Sequence, residues 1–219
     1  MKFSVNGSSS KGNNIIVENI LMLDCGLSYF KTATNLSKVK IIFISHSHND
    51  HMRQSTIKKI AYNFPNIVYV TRDKQMVYRL YKLGVPMNKI FHIKNNNWYD
   101  LKLLKIKIDK LTHDTPNYAL HFEINGEKGI YICDTANVDN IIAKNYNLYL
   151  IEANYNEKVL KEHIESCDDE GELKYLQRVP LTHLSYEQSN DFLIKNMGDK
   201  SEFYYLHKSS YNFKEEGEN

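Results

Sequence analysis

The run His46-Ser47-His48-Asn49-Asp50-His51, directly after the apolar stretch Ile41 to Ile44, constrains this chain more than any other feature. An extended strand that breaks into a tight turn aims His46 and His48 at one point, while Asp50 and His51 swing toward a second. Histidines also cap helices and lie satisfied in loops. Here three imidazoles and a carboxylate share a turn with almost no apolar content, so packing gains nothing from them. Ligand type and spacing point to metal, and to two hydrolytic cations rather than one structural ion.

Bulk properties narrow the setting. The 219 residues, 42% of them hydrophobic, suffice for one domain with a full core. A formal charge of +2 carries no polycationic signature for nonspecific wrapping of nucleic acid, so a bound phosphate is handled locally. Cys25, Cys133 and Cys167 are widely spaced and fit neither a zinc ribbon nor a disulfide framework; they read as intracellular thiols. No apolar stretch approaches membrane-spanning length, and MKFSVNGSSS lacks the apolar core of a secretory signal. A cytoplasmic protein without membrane contact is the expectation. The charged tail Lys214 to Asn219 is expected to fray, leaving residues 1–213 as the domain.

Strands are expected over Ile15 to Leu23, Ile41 to Ile44 and Ile67 to Val70, and over Leu101 to Leu111, where apolar and charged residues alternate. Tyr118 to Ile124 and Lys128 to Cys133 flank Asn125-Gly126, a hairpin signal. Helices are expected over Gln54 to Phe64, from a Thr71 cap through Leu83 to the stop at Gly84 and Pro86, and from the capping box Ser185/Gln188 to about Met197. Strands interleaved with helices make one layered α/β domain.

A dinuclear site needs further ligands, and these belong at strand ends where loops converge. His113, Asp134 and His207 each provide the first strongly coordinating side chain after a strand. With Asp24 in Leu21-Met22-Leu23-Asp24-Cys25-Gly26 and the histidine run, they follow in an order that resembles the metallo-β-lactamase superfamily across nearly the whole chain. The resemblance implies a single-domain αββα sandwich of two mixed sheets flanked by helices, with the site at one edge. It implies His46, His48 and His113 on one metal, Asp50, His51 and His207 on the other, Asp134 bridging, and Asp24 supporting from behind. Two divalent cations, zinc first and manganese or iron as alternatives, would share and acidify a hydroxide that Asp50 orients. Cys133 is expected on the opposite face of its strand, as a core thiol.

Leu150-Ile151-Glu152-Ala153-Asn154 and Leu181-Thr182-His183-Leu184-Ser185 are similar to segments of the nucleic-acid-processing branch, the tRNase Z-like and short YycJ-like nucleases. Ser8-Ser9-Ser10-Lys11-Gly12-Asn13 and His113-Asp114 share that likeness. By resemblance His183 donates a proton to, or binds, the scissile phosphate, and Glu152 orients it. One hairpin fills the interval from His113 to Asp134, leaving no room for a tRNA-clamping arm. The interval from Asp134 to His207 is too short for a β-CASP domain. Asp134 stands where zinc β-lactamases commonly carry Cys, which disfavours lactam chemistry. The expected activity is a metal-dependent phosphodiesterase, a small nuclease acting on DNA or RNA; the alternatives are a cyclic-nucleotide phosphodiesterase and a thioester or lactam hydrolase. Lys58, Lys59, Arg72, Lys74, Arg79 and Lys82 offer either a local basic patch or a solvated helix face. His92, His121 and His163 match no motif and read as structural or surface residues. Oligomeric state is left open, a homodimer included.

Overall fold

A computed structural model describes residues 1–33 and 36–210. Two mixed six-stranded sheets form the centre. The first runs in chain order through β1 (Phe3–Gly7), β2 (Asn14–Val17), β3 (Leu21–Leu23), β4 (Ile41–Phe43), β5 (Val68–Thr71) and β6 (Ile90–His92). Its first three strands are antiparallel neighbours and β3 to β6 are parallel. The second contains β7 (Tyr99–Asp100), β8 (Lys105–Leu111), β9 (Asn117–Ile124), β10 (Glu127–Ile132), β11 (Leu148–Glu152) and β12 (Glu202–Leu206), in the spatial order β12-β11-β10-β9-β8-β7. There β10, β11 and β12 are parallel and the rest antiparallel.

Side-chain alternation explains the layering. Ile15, Val17, Leu23, Phe43 and Val70 of the first sheet meet Ile106, Ile108, Leu120, Phe122 and Leu150 of the second in the central core. Ile16, Met22, Ile42 and Tyr69 face outward, where α2 (Gln54–Asn63) and α3 (Lys74–Lys82) cover them with Ile57, Ile60, Met76 and Leu80. Ala119, Ile130, Ile132 and Tyr149 are covered by Phe192 and Leu193 of α6 (Tyr186–Asn196). Each fully buried aliphatic or aromatic side chain contributes about 1.5–3 kcal/mol relative to exposure. The short α1 (Tyr29–Ala33) packs beside α2, and α4 (Glu157–Ser166) and α5 (Glu170–Arg178) enclose Leu160 and Leu176. The outcome is the αββα sandwich. No described helix is long and apolar enough to cross a membrane.

Several boundaries differ from expectation. Ile15 to Leu23 is a hairpin, because Glu18 and Asn19 both take positive φ (49° and 58°) and turn the chain. The Leu101 to Leu111 strand starts only at Lys105; the Asp100 carboxylate accepts from Lys102 N (2.7 Å) at a turn with Lys102 at φ 69°. Thr71 belongs to β5, and Asp73 caps α3 by accepting from Gln75 N. The Asn125-Gly126 hairpin forms with φ of 53° and 82°, and the Ser185/Gln188 capping box is complete. The expected tail at Lys214 to Asn219 lies outside the described residues.

Candidate metal centre

Every candidate ligand comes from one rim, at or just past the carboxyl ends of β4, β8, β10 and β12. β8 and β10 both pair antiparallel with β9, and β10 to β12 are parallel, so their carboxyl ends converge. Asp24, Asp134 and His207 have φ of 58°, 55° and 54°. Non-glycine residues seldom adopt this left-handed conformation, and such strain clusters where a fold aims side chains at a site. At Gly26 a Cβ would lie 1.6 Å from the Asp50 carbonyl oxygen. Only glycine lets the β3 exit pass under the histidine turn, held there by Cys25 N→His51 O (2.8 Å) and Asn13 N→Asp50 O (2.7 Å).

Donor atoms gather in overlapping clusters, each within 4.8 Å: His46, His48, His113 and Asp134; Asp50, His51, Asp134 and His207; and Asp134, Glu152, His183 and His207. Asp134 is common to all. Its Oδ2 lies 3.5 Å from His46 Nε2 and 3.2 Å from His51 Nε2, and its Oδ1 lies 3.4 Å from His207 Nδ1. The structure thus brings together all seven residues expected as ligands.

Supporting contacts orient these rings. Asp24, fully buried, takes His51 Nδ1 on Oδ2 at 2.6 Å, and the same oxygen accepts from Ser45 Oγ (2.8 Å) and Tyr131 Oη (2.7 Å). That contact makes Nδ1 the protonated nitrogen and turns the Nε2 lone pair inward. His113 Nδ1 donates to the Thr182 carbonyl (3.1 Å), which likewise frees its Nε2. His48 Nδ1 sits 3.3 Å from His113 Nε2, with the other nitrogen of His48 3.3 Å from Asp114 Oδ1.

Electrostatics reflect how closely these imidazoles and carboxylates are packed. Burial and the neighbouring His51 push His46 well below the usual imidazole range. Burial opposes a charge on His51 too, but Asp134 and Asp24 outweigh it and raise His51 well above that range. For His207, burial is overcome by Asp134, Asp50 and Glu152, which lift it to about 10. Asp134 stays far below the ordinary carboxylate value; burial works against it, and His207 and His51 prevail.

The donor set fits cations. His46 Nε2 and His207 Nε2 are buried polar atoms without a hydrogen-bond partner among the described residues, and both face the clusters. Buried polar groups are nearly always satisfied, so an orphan pair of imidazole nitrogens beside carboxylates marks a place built for ions.

Glu152 is fully buried, with Oε1 2.6 Å from His183 Nδ1 and 3.2 Å from His207 Nδ1. Its Oε2 accepts from Thr135 N (3.1 Å) and Leu184 N (3.3 Å). His183 keeps 20% of its side chain exposed at the rim and stacks on His207 at 5.2 Å between ring centroids. Burial disfavours its charge, but the Glu152 carboxylate overrides that and raises it; Glu152 is lowered against its own burial by His183.

Cys133 is the core thiol expected from its strand position. It is buried in the central core, yet its Sγ lies 3.2 Å from Asp134 Oδ1. Tyr131 and Cys133 face the central core while Ile130 and Ile132 face the outer layer, so the alternation of β10 carries through Cys133. Burial and Asp134 push the thiol far up, so it stays protonated and donates to the carboxylate.

The sequence marks Asn13 only as the end of the Ser8–Asn13 likeness and gives it no role in the site. Asn13 is fully buried, with Nδ2 2.8 Å from His51 Nε2 and Oδ1 lacking a partner among the described residues. Ser8 Oγ also accepts from His207 N (2.8 Å), so the loop after β1 buttresses the site. Of the unmatched histidines, His121 is buried and holds Asp109 Oδ2 at 2.9 Å, away from the centre.

Comparison with known proteins places this arrangement. No protein-family model matches the chain. Exodeoxyribonuclease YycJ of Bacillus anthracis is 26% identical over 177 residues, 74% of this chain and 66% of that one, so the match spans just under two thirds of the relative. Cytidine monophosphate-N-acetylneuraminic acid hydroxylase of Asterias rubens is 31% identical over 110 residues, 48% of this chain but only 16% of its own length. Among solved structures, the metallo-β-lactamase fold protein YhfI from Bacillus subtilis superposes with a TM-score of 0.69 at 15% identity, covering 96% of this chain and 87% of that one. The short form of human tRNase Z gives 0.65 at 13% identity, covering 96% and 93%. Zn²⁺-bound PqqB from Methylobacterium extorquens gives 0.69 at 11%, covering 97% and 90%. The chain has the metallo-β-lactamase fold, as a single α/β domain.

Proposed function

We propose that this protein is a metal-dependent phosphodiesterase, a small nuclease that hydrolyses DNA or RNA. The His183–Glu152 pair carries the reading: an imidazole at the rim, 2.6 Å from a buried carboxylate that favours its charged form, and beside the candidate metal clusters. Phosphodiester cleavage expels an alkoxide that needs a proton, whereas a thioester expels a thiolate that needs none. The exodeoxyribonuclease relative and the tRNase Z neighbour support the same class of substrate.

His46, His48 and His113 would hold one divalent cation and Asp50, His51 and His207 another, with Asp134 between them. Zinc is favoured by the imidazole-rich set, and manganese or iron also suit it. Bound there, such cations supply Lewis-acid neutralisation of phosphoryl charge and an acidified water. The chain's own residues do the rest. Glu152 fixes the His183 tautomer, so Nδ1–H is committed to the carboxylate and Nε2–H is left to face substrate. Thr135 N and Leu184 N hold Glu152 from the other side, which keeps the imidazolium in place while its proton moves to the leaving oxygen. Asp50, held ionised against its burial by His207 and His51, is placed to orient the attacking water.

Replacing His183 by Ala tests the assignment on labelled single-stranded and duplex DNA and RNA. The expected outcome is a kcat loss of roughly 10²–10⁴-fold with metal content unchanged. Undiminished cleavage by the variant removes His183 from the mechanism, and a wild-type protein that opens cyclic nucleotides but cuts no oligonucleotide replaces the nuclease reading with the smaller substrate.

A further inference from the structure

A second polar feature lies on the same rim, one strand away from the histidine turn. Arg72 follows the end of β5, beside β4, and His92 and Lys94 lie at the end of β6 and just beyond it; across the sandwich, Tyr118 is the second residue of β9. With Lys74 and Val77 of α3, these residues line a cleft of about 590 Å³. Clefts of roughly 300–1,000 Å³ are the size that takes small ligands. Two tethers tie the cleft to the centre. Asn117, next to Tyr118, donates through its side chain to the carbonyls of Cys133 (2.8 Å) and Asp134 (2.5 Å). Ile44 N donates to Val70 O (3.0 Å), joining the strand that delivers Arg72 to the strand that delivers His46.

The lining has the chemistry of a polynucleotide subsite. Arg72, Lys74 and Lys94 make no ion pair with a carboxylate among the described residues, and Lys74 and Lys94 are exposed. Arg72 is held by neutral acceptors, Asn96 Oδ1 and the Ile108 carbonyl, so its charge is positioned without being cancelled. Its guanidinium lies 5.7 Å from the centroid of the Tyr118 ring. Asp73, the neighbouring carboxylate, is turned into the cap of α3, accepting from Gln75 N (2.8 Å). Cations beside a half-buried aromatic ring are the combination on which single strands dock, phosphate to the charge and base to the π-face. A duplex, whose bases are stacked on one another, offers no free face to Tyr118.

We infer that the Arg72–Lys94–Tyr118 cleft binds a phosphate and an unstacked base of single-stranded nucleic acid, at a nucleotide beyond the scissile bond. The inference rests on the phosphodiesterase reading for its bond-breaking partner and narrows the substrate to an oligonucleotide that reaches both places. A mononucleotide does not engage both places at once.

The test uses the full, metal-loaded chain and two kinds of probe. A hydrolysis-resistant phosphorothioate octamer and dinucleotide report binding by fluorescence anisotropy, and cleavable single strands of two to twelve nucleotides report KM and kcat. The octamer is expected to bind at least tenfold more tightly than the dinucleotide. In the double variant Arg72→Gln/Lys94→Gln that advantage is expected to vanish, KM for the cleavable octamer to rise at least tenfold, and the slope of log K against log salt to flatten by about 1. Because Lys94 is exposed, Lys94→Gln alone supplies the reading, as a smaller KM rise, if the double variant melts early. Equal binding of octamer and dinucleotide, or an unchanged octamer KM and salt slope in the variants, overturns the cleft assignment. Cleft-dependent octamer binding by a protein that cleaves no nucleic acid upholds the cleft and overturns the nuclease reading instead.

Discussion

The site depends on a few atoms whose partners fix their protonation. Asp24 Oδ2 receives His51, Ser45 and Tyr131 at once, so Asp24→Asn leaves His51 free to choose the wrong tautomer. Loss of such an outer contact costs about 10–100-fold in metal affinity, which a competitive chelator titration measures. Protonation gives a second check. His51 and His207 are raised, His207 to about 10, so without metal both carry protons at neutral pH. His207 therefore stabilises the metal-free fold fully below its unfolded value of about 6.5, and that contribution disappears as pH rises through about 10. Ligand nitrogens must be deprotonated, so metal loading is expected to release protons and to strengthen with rising pH. Calorimetry in buffers of different ionisation enthalpy reads that release; zero release contradicts the assignment of these two histidines.

Elements show what the sequence disclosed and what it hid. The histidine turn, the hairpin at Asn125-Gly126 and the capping box at Ser185 were legible because each is a local device whose residues are demanded by a backbone conformation or a donor left unpaired. Ser185→Ala removes one such device and is expected to cost about 1 kcal/mol in denaturant unfolding. His113, Asp134 and His207 were legible as positions, the first coordinating side chains after strands. The Glu18-Asn19 turn was not, since apolar residues on both sides continue the strand pattern and nothing local but an asparagine tolerant of positive φ marks it. Asn13 and the contact of Cys133 with Asp134 were hidden for another reason: they depend on distant segments meeting, which periodicity does not encode. Gly26 belongs with them, and Gly26→Ala is expected to displace the histidine turn, lowering both melting temperature and metal content.

At the scale of the whole molecule, two sheets converge on one rim and bring together charges that would repel or remain unsatisfied alone. Cations bound only by the folded state stabilise it by mass action, about 2.7 kcal/mol per site at a hundredfold excess over Kd. Removal of both cations by chelation is therefore expected to lower the melting temperature by roughly 10–20 °C in a chain of this size. If this rim is a two-cation phosphodiesterase centre, titrating metal-stripped protein with zinc or manganese while following cleavage of a labelled single-stranded oligonucleotide reads it out directly. Cleavage that rises with bound metal, levels near two equivalents and disappears in Asp134→Asn is the predicted result. No cleavage with any divalent ion, or full cleavage in excess chelator, contradicts it.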